Sequence, residues 1–227
     1  MYSVKEIFYT LQGEGAMAGR ASVFCRFSGC NLWNGREQDR QNAICKFCDT
    51  DFVGTDGING GKYSAQDLAK FIHKTWLESI NENNAETITN TMEGKPYVVL
   101  TGGEPLLQVD KELLDELHAY NFEVAIETNG TQPVLDEIDW VCVSPKFGSK
   151  LVVNKGNEIK VIYPQGFSLE DMEYFSTLDF KHFFIQAKDE IIDKKQAKDN
   201  LEQAVNFCLT HTKWRLSLQT HKYLGIA

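Results

Sequence analysis

Cys30, Cys45 and Cys48 are the residues whose type and spacing best suit chemistry. The last two form a CxxC pair within Cys45-Lys46-Phe47-Cys48-Asp49-Thr50, and residues 31–44 separate them from Cys30. Three thiolates are one ligand short of the closed tetrahedral site of a structural zinc. An iron–sulfur cluster on three cysteines keeps one iron open to a molecule that reacts. Spacing alone leaves both chemistries open. The zinc alternative would recruit Cys25 as fourth ligand. Alternation along the expected strand 22–28 opposes this: Cys25 shares a face with Val23 and Phe27, while Arg26 points the other way. Cys142, inside an apolar strand, and Cys208, on the apolar stripe of a helix, read as core residues.

The elements that must position these residues follow from hydrophobic period. Short runs rich in β-branched and aromatic residues predict strands over 7–12, 22–28, 97–101, 123–128, 140–144, 158–163, 182–186 and 215–219. Helical spacing predicts helices over 64–79, 110–120, 168–178 and 193–211, the first opened by a Ser64/Asp67 capping pattern. Residues 54–62, rich in glycine, and 81–95, polar and aperiodic, read as loops. Alternating strands and helices predict a parallel α/β sheet, with functional residues just past the strands' carboxyl ends. Polar turns do follow several strands, at Thr101–Pro105, Glu127–Gly130, Ser144–Lys146 and Gln219–Lys222. A full eight-unit barrel takes about 250 residues. The 227 residues here predict a partial, incomplete TIM-like βα barrel in one domain spanning 1–227.

Composition removes several function classes. A net charge of −9 argues against a phosphate-backbone binder, so no direct nucleic-acid partner is expected. No apolar stretch reaches the roughly 20 residues that span a bilayer. The N-terminal residues carry no signal-peptide pattern, so a cytoplasmic location is expected. Six cysteines in that reducing compartment read as metal ligands or core residues rather than disulfides.

In order along the chain, Leu11-Gln12-Gly13-Glu14-Gly15, the Cys30/Cys45/Cys48 set, Thr101–Pro105, Glu127–Gly130, Ser144-Pro145-Lys146 and Leu216–Lys222 resemble the radical S-adenosylmethionine enzymes. More narrowly, they resemble the 7-carboxy-7-deazaguanine synthases of the queuosine pathway. The fourteen residues between the first two cysteines depart from the short spacing of most of the superfamily and match one branch of that family.

The resemblance implies roles. Cys30, Cys45 and Cys48 would hold a [4Fe–4S] cluster whose fourth iron chelates S-adenosylmethionine, a source of the 5′-deoxyadenosyl radical on one-electron reduction. Phe47, Cys48, Asp49, Gly102, Gly103, Glu104, Glu127, Thr128, Asn129, Ser144, Pro145 and Lys146 would bind that cofactor, with Glu104 suited to its ammonium group. Gln186-Ala187-Lys188-Asp189 would meet its adenine. Thr50 would ligate Mg²⁺. The implied substrate is 6-carboxy-5,6,7,8-tetrahydropterin, contacted by Leu11, Gln12, Gly13, Glu14, Arg26, Thr101, His221 and the carboxylate of Ala227. Arg26, without a neutralising neighbour in sequence, suits the substrate carboxylate. A reductant such as flavodoxin and a homodimer are also implied. The alternatives are a glycyl-radical activase of the same superfamily and a non-catalytic zinc protein.

Overall fold

The computed structural model describes residues 1–83, 94–190 and 193–226. One sheet takes in every strand among the described residues, in the order β3-β1-β2-β4-β5-β6-β7-β8-β9. Its strands are β1 (Tyr2–Leu11), β2 (Ala21–Phe27), β3 (Gly61–Tyr63), β4 (Tyr97–Gly102), β5 (Glu123–Thr128), β6 (Trp140–Val143), β7 (Lys155–Tyr163), β8 (Asp179–Ala187) and β9 (Arg215–Ser217). The sheet is open, with β3 and β9 as its edges. Strands β2 and β4 through β9 run parallel, as the alternation predicts.

The helices are α1 (Ala65–Asn83), α2 (Lys111–Ala119), α3 (Leu169–Thr177), α4 (Lys194–Thr210) and the short α5 (Thr220–Leu224). The first four start where a side chain satisfies free amides. Asp110 Oδ1 accepts from Leu113 N at 3.1 Å, and Ser168 with Asp171 closes a full capping box on α3. On α1 the expected pattern holds, with Asp67 N donating to Ser64 Oγ at 3.1 Å.

Period two on the strands separates two faces. Val98 and Leu100 of β4 join Val23, Val124, Ile159 and Ile185 in the main core. The apolar stripes of the first four helices close that core: Leu68 and Ile72, Leu113 and Leu117, Met172 and Phe175, Ala204 and Phe207. The alternate residues, Tyr97, Val99 and Ala125, form a small second cluster on the opposite face. Among the described residues, no helix layer covers that face. Its strands therefore carry polar residues toward their carboxyl ends, and the site is built there.

The structure corrects four expectations. The edge is antiparallel, since β1 pairs with both β2 and β3. The glycine-rich stretch 54–62 is not a plain loop throughout. Gly57 N donates to Lys5 O and Ile7 N to Ile58 O, which laces the stretch to β1 and lets it end as β3. Helix α1 runs to Asn83, past the start of the expected loop 81–95, of which residues 84–93 lie outside the described residues. Strand β9 ends at Ser217, two residues early. Thr220 N donates to Gly13 O and the chain turns into α5. All six cysteines are free thiols.

Candidate active site at the carboxyl ends of the strands

A cavity of about 460 Å³ opens where the parallel strands end. The β4 end gives it Thr101, Gly102 and Gly103; the β5 end gives Glu127, Thr128 and Asn129; and the β6 end gives Ser144 and Lys146. The β8 end brings Gln186, Ala187, Lys188 and Asp189. Leu11, Gln12, Gly13 and Glu14 enter from the end of β1, Arg26 from β2 and His221 from α5. Cys45, Phe47, Cys48, Asp49 and Thr50 form a further wall. Of the residues singled out in the sequence, Cys30, Glu104 and Pro145 lie behind this wall rather than on it. Ala227 lies outside the described residues.

The three sequence-selected cysteines come together. The Cys45 and Cys48 thiols neighbour each other, and that contact pushes the Cys45 thiol up and holds Cys48 down. Burial raises the Cys30 thiol, and Cys30 and Cys48 lie close enough to feel each other's charge. Among the described residues, no three His, Cys, Asp or Glu side chains converge in the manner of a single-ion site. On a four-iron cluster each thiolate takes a different iron, so its ligands stand further apart than those of one ion. Three soft sulfur donors, two on the cavity wall and Cys30 just behind it, fit a cluster. Cys25 is fully buried among core side chains on the helix-facing side of β2, away from the cavity that Arg26 lines. It cannot complete a zinc site with the other three. Cys142 is buried as expected, yet it faces the cavity rather than the helices. Cys208 packs partly buried against the main core.

Gly103 lies against the first cysteine. A Cβ there would stand 2.1 Å from Gly29 O and 2.8 Å from Cys30 Cβ. Most of that obstruction is backbone, already pinned by Glu104 N donating to Gly29 O at 2.9 Å. Gly103→Ala should therefore push Gly29 and Cys30 away from the cavity, at a cost of about 1–3 kcal/mol. A thermal melt and iron per chain after anaerobic reconstitution check this: both should fall, and wild-type values for both would refute the close approach.

Glu104 turns inward and is 0 % exposed. Its Oε1 accepts from Thr128 Oγ1 at 2.8 Å and Leu106 N at 3.0 Å, and its Oε2 accepts from Asn129 N at 2.8 Å. Burial pushes its carboxyl up, partly offset by those donors. Three of its roughly four acceptor positions are taken. In this structure its visible work is to tie the β4 turn to the β5 end. Asn129 is held as well, its Nδ2 donating to Asn31 Oδ1 at 3.0 Å.

Arg26 is not the free cation that the sequence suggests. The antiparallel register sets Glu6 opposite it, and Arg26 Nε donates to Glu6 Oε1 at 2.8 Å. Gln186 is likewise committed: its Nε2 donates to Glu14 Oε1 and its Oε1 accepts from Ser217 Oγ, both at 2.9 Å. Its side chain serves the wall beside Glu14.

The largest omission from the sequence reading is Lys160 of β7. Its side chain is 4 % exposed and forms an ion pair with Glu14, with Glu127 Oε1 3.8 Å away. Glu14 also accepts from Gln219 Nε2 at 2.9 Å, and Gln12 Nε2 donates to Glu127 Oε1 at 3.0 Å. Burial would raise the Glu14 carboxyl, but the Lys160 ammonium outweighs it and holds that carboxyl low. Burial would lower the Lys160 ammonium, and the carboxylates Glu127 and Glu14 hold it well above its ordinary value. The available signal was Glu158 and Lys160 at alternate positions between β-branched residues, a charged stripe on one strand face. Two other lysines act as braces. Lys5 Nζ meets Asp51, Asp56 and Val53 O, which ties the segment after Thr50 to β1. Lys222 bridges Asp49 at 3.3 Å and Asp189 at 2.6 Å, joining α5 to the cysteine segment and the β8 end.

An open βα half-barrel with three cysteines at its strand ends defines the radical S-adenosylmethionine class of enzyme. No family model matches the chain. It is 57% identical to a 7-carboxy-7-deazaguanine synthase of Bradyrhizobium diazoefficiens over 226 residues, covering 99% of each chain. It is 53% identical to one of Burkholderia multivorans, again over 99% of each, and 30% identical to one of Synechocystis, over 99% of this chain and 93% of that one. The crystal structure of QueE from Escherichia coli superposes with a TM-score of 0.63 at 26% identity, covering 97% of this chain and 94% of that one. The chain belongs to the 7-carboxy-7-deazaguanine synthase family.

Proposed function

We propose that the chain contracts the ring of 6-carboxy-5,6,7,8-tetrahydropterin to 7-carboxy-7-deazaguanine with release of ammonia, a step in queuosine biosynthesis. The observation that carries this reading is the shared cavity. The cysteine wall and the Gln12–Glu14–Lys160 network, far apart in sequence, face one volume of about 460 Å³. Cys30, Cys45 and Cys48 would hold a [4Fe–4S] cluster, which with S-adenosylmethionine bound would supply one-electron chemistry at a substrate C–H bond.

The chain's own residues bind and orient. Glu14, kept ionised beside Lys160, and Glu127 offer acceptors to the donor-rich edge of a pterin. Lys146 and the guanidinium nitrogens of Arg26 not bound to Glu6 suit the substrate carboxylate. The strand ends from Gly102 to Asp189 suit the cofactor's methionine, ribose and adenine. His221 packs on Gly13 so closely that a Cβ there would stand 2.1 Å from its Nδ1, which seals the end of β1. Thr50, on the cavity wall beside Asp49, suits Mg²⁺, which takes few protein oxygens and otherwise water and substrate. A flavodoxin-type reductant and a homodimeric assembly complete the reading.

Anaerobic reconstitution followed by mass spectrometry on the pterin tests it. The expected result is a deazaguanine product with S-adenosylmethionine conserved. A fully loaded protein that yields none would overturn the proposal.

A further inference from the structure

The segment between Cys30 and Cys45 is built as more than a linker. A bare linker would be polar and solvated. Here Leu32 and Trp33 are buried, and the Trp33 ring meets Phe52 edge-on at 5.6 Å. Ile44 N and Cys45 N both donate to Leu32 O, which folds the segment back on itself. Arg40 lies at its centre. The guanidinium stacks 4.0 Å over the Trp33 ring, and Nε donates to Glu37. Nη1 donates to the carbonyl oxygens of Lys46 at 3.1 Å and Cys48 at 3.0 Å. The segment therefore delivers a fixed cation to the backbone of the Cys45–Cys48 turn.

We propose that Arg40 is a positioning residue that fixes this turn and raises the reduction potential of the cluster the turn holds. The inference rests on the reading of Cys30, Cys45 and Cys48 as cluster ligands. Reduction adds an electron, so a nearby positive charge stabilises the reduced cluster more than the oxidised one. Cluster potentials respond to local charge, hydrogen bonding and exposure. The Glu37 carboxylate offsets this only in part, because its side chain is 77% exposed and screened by water. Asp49 and Lys146 also bear on Cys48, and they stay constant when Arg40 alone is changed. Stacking on Trp33 holds the guanidinium in place, so the effect belongs to a fixed charge rather than a mobile surface one.

The test separates charge from hydrogen bonding. Arg40→Gln keeps an amide donor for the carbonyls and removes the charge. Arg40→Lys keeps the charge and loses the planar fork. Each is reconstituted anaerobically with iron and sulfide, its metal content is measured, and the cluster is titrated by electron paramagnetic resonance at controlled potential. R40Q should hold iron near the wild-type level with a midpoint shifted to more negative potential. R40K should recover most of that shift. A wild-type midpoint in R40Q overturns the proposal, as does an R40K midpoint as low as that of R40Q. If R40Q loads no iron, the R40K and wild-type midpoints decide: a match supports the charge assignment and a drop in R40K refutes it. Wild-type protein that takes up no iron would instead sink the cluster reading itself.

Discussion

Lys160→Met should destabilise the folded chain by about 3–5 kcal/mol, the range for removing one partner of a buried ion pair. The pair is placed for that outcome. The Lys160 side chain is 4% exposed and that of Glu14 15%. Without the ammonium, the Glu14 carboxyl would be left in the wall with only Gln186 and Gln219 as side-chain donors among the described residues. The pH dependence should also reverse. In the wild type the Glu14 carboxyl is held low. Its contribution is then present above the unfolded carboxyl pKa of about 4.3 and is lost as pH falls through the lower folded value. In the variant burial dominates and raises the folded pKa. The folded state then binds the extra proton, so this group makes the variant less stable as pH rises above about 4. Urea denaturation at pH 5 and pH 8 distinguishes the two. A variant as stable as the wild type, or one without the reversed slope, would show that the pair does not carry the wall. Turnover should fall as well, chiefly through a higher KM, because Glu14 and Glu127 lose the charge that orders them.

Cys48→Ala should abolish both iron uptake and product formation, while Cys25→Ala should preserve both. The two thiols have opposite settings. Cys48 lines the cavity beside Cys45, where its thiol can reach a bound metal group. Cys25 is sealed in the core and its thiol is raised by burial, so it stays protonated. Its loss should cost about 1 kcal/mol of stability, an ordinary core substitution. Iron and sulfide analysis with a chemical melt reads out all of this. A Cys25 variant that loses its metal would revive the zinc alternative, and a Cys48 variant that keeps four irons would remove Cys48 from the ligand set.

Much of this was legible in the sequence. The strand-end turns were visible because an apolar run that stops at glycine and polar residues marks both a strand's end and the rim of a parallel sheet. Helices α2, α3 and α4 fall close to their expected spans because their caps, Asp110, Ser168 and Asp193, act within one turn. The placement of Cys25 in the core followed from period two alone. The antiparallel edge was not legible. Residues 54–62 join the sheet through bonds to the Lys5–Ile7 stretch, and nothing local to those glycines announces a partner some fifty residues earlier.

By itself the sequence determined which residues are chemically capable: the three thiols, the strand-end motifs and the amide and carboxylate of the Gln12–Glu14 run. Residue type, spacing and period are local properties, and they survive in one dimension. Only the tertiary structure decided which charges are already spent. Glu6 takes up Arg26 because the β1–β2 register sets them opposite each other. Glu104 faces inward because three donors from its own turn and the β5 end collect its oxygens. Lys160 meets Glu14 across 146 residues of chain, and Arg40 reaches the Cys48 carbonyl because the intervening segment folds around Trp33. Pairings of this kind depend on strand order and on the path of the backbone through space, and sequence spacing does not encode them.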